Sequence, residues 1–158
     1  MHNFRTTATE NDYFAAADNG AGYIMPGMLQ EPRESGLPSG LETWGKHCKK
    51  NYKKWGLSIT GFVIDGHAPG LNKEGLDCYA SFSPNGIVPQ KIATALLHGN
   101  MPVIRADLDI NDGDPKVAAK RIVERVKERS ALPFHWFRNI LKQPTWYCEV
   151  MNEVKAQD

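Results

Sequence analysis

The stretch AADNGAGYIMPG, residues 16–27, decides how this chain is read. Small residues lead into Asp18-Asn19, two glycines flank one alanine, and Pro26 follows Tyr23 by three residues. Three arrangements compete for such a run: a phosphate cradle, a plain tight turn, or a backbone loop shaped to hold a ligand beside Tyr23. A dinucleotide fingerprint needs a glycine three residues after its second one, and position 25 is Met. It also needs a helix that opens at once, so that the helix N-terminus meets the pyrophosphate. Here Pro26 and Gly27 lead instead into GMLQEPRESGLPSG (27–40), the one long irregular stretch, and the Gly-Lys-Ser/Thr of a P-loop is absent. The turn and the ligand loop remain. Gly20 and Gly22 supply positive φ as the chain leaves a strand. In parallel α/β folds ligands sit at the carboxyl ends of strands, where Asp18, Asn19 and Tyr23 fall. Two glycines let a ligand approach the backbone, and a tyrosine offers a flat apolar face with a polar tip. A sugar, with C–H faces and a ring of hydroxyls, needs that combination.

Outward from this stretch, strands alternate with helices. DYFAAAD (12–18) reads as a strand, and SGLETWGKHCKKNYKKWG (39–56) as a helix. Ser39 can cap that helix, Leu41, Trp44, Cys48 and Trp55 share one side, and Gly56 stops it. LSITGFVIDG (57–66) is a nearly continuous apolar run, as in a strand covered on both faces. DCYASFSP (77–84) reads as a strand, VPQKIATALLHGN (88–100) as a helix with Pro89 in its first turn, and MPVIRADLDI (101–110) as a strand. DPKVAAKRIVERVKERS (114–130) is a helix capped by Asp114, with Pro115 at its first position and Ala119, Ile122, Val123 and Val126 as its buried stripe. LPFHWFRNIL (132–141) reads as a strand and PTWYCEVMNEVKAQ (144–157) as a last helix. The alternation predicts an α/β fold, a mainly parallel sheet with crossover helices. About five strands suit an open sheet or a partial (β/α) barrel, since a full barrel needs eight strands and about 250 residues. The 158 residues are one domain's worth of chain. The strand at 12–18 is expected at an exposed edge, where unpaired backbone groups promote self-association.

Composition narrows the function classes. Nineteen basic and 18 acidic residues give a net charge of +1, so the balance supplies no electrostatic reason to expect nucleic acid or an anionic membrane. No apolar run approaches the roughly 20 residues that span a bilayer. MHNFRTTATENDYF has no basic segment followed by an apolar one, so no signal peptide is expected on this chain. Cys48, Cys78 and Cys148 are odd in number and far apart, which excludes a zinc pattern or disulfide framework and predicts reduced, packed thiols. No His/Cys/Asp/Glu group has metal spacing, no Gly-x-Ser-x-Gly elbow occurs, and no cofactor is expected.

DYFAAADNGAGYIMPGML resembles the signature of the glycoside hydrolase family named for its GxGYxYP motif. Gly20, Gly22, Tyr23 and Pro26 match, and Met25 stands where the motif has its second tyrosine. The similarity runs through the strand and helix order to the C-terminus. It implies that the chain is the C-terminal portion of a larger barrel-like catalytic domain, whose earlier part carries an acidic Asp-Gly-Asp-Asn type motif with no counterpart here. It also implies a carbohydrate ligand, and is compatible with a secreted or periplasmic full-length protein.

Glycoside hydrolysis usually needs two carboxylates, one protonated and one ionised, across the scissile bond. Asp18 ends the first strand, and Asp65 ends ITGFVI. RADLD places Arg105, Asp107 and Asp109 on one face of a strand. Asp65 and Asp107 are the best acid/base candidates. Substrate contacts are expected from Asp18, Asn19, Gly20, Gly22, Tyr23, His67, Arg105, Asp109 and Arg138, with Asp18, Asp65 and Asp107 near one rim of the sheet. Each has a structural alternative: turn chemistry for Asp65-Gly66, an ion pair for Arg105 and Asp107, core packing for His135 and Trp136. NDGD (111–114) is better explained by Asp114 as a helix cap than by calcium. His47 and His98 fall in expected helices, away from any site. The competing function is a non-catalytic carbohydrate-binding or structural half, with its chemistry supplied by upstream sequence.

Overall fold

Apolar side chains at helical spacing in residues 41–52 determine what the first unit packs against. Leu41, Trp44, Cys48 and Tyr52 are buried on one side of α1 (Leu41–Trp55), which ends where Gly56 takes φ +59°. The computed structural model describes residues 5–10, 12–18, 20, 22–92, 95–130 and 135–157, without the side chains of Ala17, Asp18 and Leu108. It divides the chain into two compact units, Met1–Ile104 and Arg105–Asp158.

In the first unit β1 (Ala16–Asp18), β2 (Thr60–Val63), β3 (Ile87–Pro89) and β5 (Met101–Val103) run parallel, and β4 (Leu96–His98) joins β5 antiparallel. The sheet order is β1-β2-β3-β5-β4, so β1 and β4 lie at the edges. α1 and α2 (Lys73–Ala80) form the crossovers. The core joins α1 to Ala16, Val63, Ile87, Met101 and Val103 of the sheet. Trp44 meets Tyr79 and Phe82 edge-on at ring-centroid distances of 5.3 and 5.6 Å, and Tyr52 meets Phe82 at 4.9 Å. A buried hydroxyl relay crosses this core: the Tyr52 hydroxyl lies 2.7 Å from Thr60 Oγ1, Thr60 Oγ1 donates to Ser83 Oγ at 3.0 Å, and Ser83 Oγ donates to the Gly86 carbonyl at 2.9 Å.

In the second unit β6 (Leu108–Ile110) pairs parallel with β7 (Phe137–Asn139). α3 (Pro115–Glu128) and α4 (Pro144–Lys155) each begin on proline, and Asp114 accepts the Lys116 N–H at 2.8 Å as the α3 cap. Ala118 and Ala119 of α3 pack with Trp146 and Val150 of α4 around Ile110. Small residues on one helix let the indole of the other approach.

The mainly parallel sheet and crossover helices follow the sequence reading, but the five-stranded sheet is open. No closed barrel forms among the described residues. Three elements differ. Of the residues expected as a strand at 77–84, the first four lie in α2, whose N-cap Asn72 accepts the Gly75 N–H at 3.0 Å, and the rest form the turn after it; Tyr79 and Phe82 are both buried. The helix expected at 88–100 is instead the end of β3 and a hairpin, β4 turning into β5 through Gly99-Asn100 with Gly99 at φ +59°. The single strand expected at 101–110 is two strands in two units, β5 and β6. Tyr52 replaces Trp55 in the buried row of α1, and Cys148 is exposed rather than packed.

Two glycines, one in the motif and one just after it, carry different constraints. Gly22 has φ +71° with open space around a hypothetical Cβ, whereas a Cβ on Gly27 would lie 2.0 Å from the Pro69 carbonyl oxygen. Gly22→Ala is expected to cost about 1 kcal/mol of backbone strain. Gly27→Ala is expected to cost about 3 kcal/mol, because two backbones must separate. Urea denaturation of the two variants checks the order.

Candidate functional site

Because β1 and β2 are parallel, with Asp18 in register with Phe62, their carboxyl ends open on the same edge of the sheet. The loops after β1 and β2 start there. Gly20 at φ +97° and Gly22 at φ +71° turn the first loop sharply, as the glycine spacing predicts. Gly20 sits against the core, where a Cβ would lie 3.0 Å from the Tyr52 hydroxyl. Beyond the turn Tyr23 is 74% exposed, so its ring is free of the core. Tyr23, Ile24, Met25, Met28, Arg33 and Glu34 line a groove of about 490 Å³. Asn19 lies outside the described residues, and Asp18 is placed by its backbone alone, as the last residue of β1.

The second loop turns at Asp65, where the Ala68 N–H donates to the Asp65 carbonyl at 2.7 Å and Gly66 takes φ +50°. The Asp65 side chain is fully buried. Its Oδ2 accepts the Lys91 N–H at 2.8 Å, while Oδ1 is buried with no hydrogen-bond partner among the described residues. Burial pushes this carboxyl above its ordinary 3.8, and the Lys91 N–H and ammonium oppose the rise. Gln90 Oε1 accepts the N–H groups of Asp65 and Gly66 at 3.3 and 3.4 Å, and Lys91 Nζ donates to the Ala68 carbonyl. The two loops meet twice. A Cβ on Gly66 would lie 2.7 Å from the Met25 methyl, and Gly27 presses on Pro69. Met25, in the place of the motif's second tyrosine, thus closes the Asp65 turn from the groove side. His67 is exposed in the same turn.

The other acid/base candidate lies in the second unit and is built differently. Asp107 is buried just before β6. Its Oδ1 accepts from Arg129 Nη1 and lies 4.0 Å from Arg125 Nε. Its Oδ2 accepts the Trp136 N–H at 2.9 Å and lies 3.4 Å from His135 Nδ1. Asp109 pairs with its register partner Arg138, whose Nε is 3.5 Å away. Arg105 is exposed and outside any strand, so the expected row of Arg105, Asp107 and Asp109 on one strand face does not form. The Asp107 N–H still donates to the Trp136 carbonyl at 2.7 Å, while its carboxylate turns to Arg125 of α3 and to Arg129, the residue that follows the helix. His98, expected in a helix, stands on β4 with Nε2 2.7 Å from Asp77 Oδ1. Among the described residues no group of three or more His, Cys, Asp or Glu is placed to hold a metal ion.

Gln90 and Lys91, which hold the Asp65 turn, were hidden by reading 88–100 as a helix. Arg125 and Arg129 were hidden because a basic residue in a helix's last turn is already explained by its dipole. The Gly99-Asn100 pair between two apolar runs was the available hairpin signal.

A family model described as GxGYxYP putative glycoside hydrolase C-terminal domain matches residues 1–153. No curated protein and no solved structure matches the chain.

The Asp65 carboxyl has a native pKa above its unfolded one, so the native state binds its proton more tightly. Below the unfolded value both states are protonated and burial of the charge carries no penalty. The penalty grows as pH rises through the native pKa and is complete above it. Asp65→Asn, which keeps an acceptor for the Lys91 N–H, is expected to be more stable than the parent at pH 7, with the gain vanishing near pH 3. Urea titrations across that range measure this.

Proposed function

The chain belongs to the GxGYxYP glycoside hydrolase family, as its C-terminal domain, and from that premise we propose that it binds a glycan in the groove beside Tyr23, with Asp65 as the proton-holding group of the rim. The observation that carries this reading is the Tyr23 ring, 74% exposed on a loop that two positive-φ glycines turn outward at the carboxyl end of β1. An aromatic face this open gives nothing to the fold, and it can stack on the C–H face of a sugar. Arg33 and Glu34 on the same groove supply a donor and an acceptor for hydroxyls. Asp18, Gly20 and His67 reach the same rim by their places in the chain.

A general acid for glycoside hydrolysis must keep its proton near neutral pH, and burial of Asp65 works in that direction. Its Oδ1, unpartnered among the described residues, is the oxygen that can carry the proton, and Met25 links the groove to the Asp65 turn by lining the one and packing on Gly66 of the other. A second reading, a glycan-binding half without its own chemistry, is favoured by one observation: both oxygens of Asp107 are already engaged. In that reading Asp107 fastens β6 to β7 and α3. Arg105 accompanies it as an exposed charge of the second unit, and Asp109 with the half-buried Arg138 as an ion pair across β6 and β7.

Tyr23→Ala is expected to weaken binding of a neutral oligosaccharide, found by array screening, about tenfold, with the melting temperature nearly unchanged. A large loss of stability with unchanged binding makes the loop a structural turn. Loss of hydrolysis in Asp65→Asn with binding retained separates the catalytic reading from the binding one.

A further inference from the structure

We propose that the outer face of α1 is a second glycan-contacting surface, separate from the Tyr23 groove, and that it takes an anionic polysaccharide bearing uronate or sulfate groups. α1 carries Lys46, Lys49, Lys50, Lys53 and Lys54, all exposed, against one acidic residue, Glu42. The whole chain has a net charge of only +1, so the positive charge is concentrated on this helix and the remainder is net negative. At 100° per residue the five lysines form one stripe opposite the buried row of Leu41, Trp44, Cys48 and Tyr52. The stripe runs about 12 Å along the helix at 1.5 Å per residue.

Ordinary helix electrostatics explains only part of it. Lys53 and Lys54 lie in the last turn, where cations suit the dipole. Lys46 pairs with Glu42 at 2.6 Å. Lys49 and Lys50 lie mid-helix and, with Lys53, form no ion pair with a described acidic side chain. Lys53 is three residues from Lys50 and four from Lys49, so their like charges repel, and a bound anion would relieve that repulsion. The stripe ends at an aromatic: Trp55 is 40% exposed, with Lys54 Nζ 4.9 Å from its ring centroid and Arg5 Nη2 donating to its carbonyl. A row of point charges running into an exposed indole matches a polymer that alternates anionic groups with sugar faces. The choice of a glycan over another polyanion rests on the reading of the domain as a glycan binder.

The test measures binding of polygalacturonate, heparin and neutral dextran to the full chain across a salt series, with duplex DNA in parallel. The parent is expected to hold both acidic polysaccharides with an affinity that falls steeply with salt, and not to hold dextran by this face. The variant carrying Lys49→Gln, Lys50→Gln and Lys53→Gln keeps helix propensity. Its affinity at low salt is expected to fall at least tenfold, and its slope of log affinity against log salt to flatten by roughly 3, about 1 per cation removed. Tyr23→Ala is expected to leave this binding unchanged, so failure of the groove reading and failure of the stripe are separately visible. Equal binding by parent and triple variant overturns the proposal. Tighter binding of DNA than of either acidic polysaccharide at the same ionic strength also overturns it, and assigns the face to nucleic acid.

Discussion

Tyr52, Thr60, Ser83 and the Gly86 carbonyl pass one hydrogen bond to the next through the interior of the first unit, and the rim is built on that relay. Each member is buried, so an unmade bond would leave a polar group stranded where water cannot reach it. The relay therefore fixes three pieces together: the end of α1, the start of β2 and the turn before β3. It also fixes where the first loop can begin, because Gly20 lies close to the Tyr52 hydroxyl. Burial pushes the Tyr52 phenol up to about 12, against the opposing hydrogen bond from Thr60.

From that base the motif's two glycines and Gly27 divide the labour of the loop. Gly20 permits approach to the core, Gly22 completes the turn, and Gly27 lets one loop lie directly on the backbone of the next. The effect is an exposed tyrosine on a loop that packs on the next one, whose Asp65 is buried. Met25, where the family motif has a tyrosine, packs its methyl on Gly66 of the Asp65 turn.

What could be read from the sequence was what local chemistry dictates. Helix starts with Pro115 and Pro144, the Asp114 cap, the Gly56 stop and the positive φ of Gly20 and Gly22 all follow from the residue itself. Identities that suit two structures were misread. Cys78, Tyr79 and Phe82 are good strand formers, yet at their spacing they fill the helical face that Trp44 needs, and the internal Gly75 masks the helix. Leu96-Leu97-His98 reads as helix until paired with Met101–Val103. The candidate site divided the same way. Tyr23 and Asp65 were visible as loop aromatic and strand-end carboxylate, whereas the ring of partners around Asp107 depends on α3 folding beside it.

The strands of the first unit are only three or four residues long, too short for their ladders alone to specify how they align. β2 and β3 show the difficulty, since their pairing is irregular between Thr60 and Val63. The contacts beyond their ends supply the missing alignment. The Gln90 N–H donates to the Val63 carbonyl, the Gln90 side chain accepts two N–H groups, and the Lys91 N–H reads the Asp65 carboxylate. Sliding β3 by one residue would break all of these together and bury Asp65 with neither oxygen bonded. The carboxylate at the rim thus works as a vernier for the sheet: it sets the relative position of two neighbouring strands more sharply than their own hydrogen bonds can.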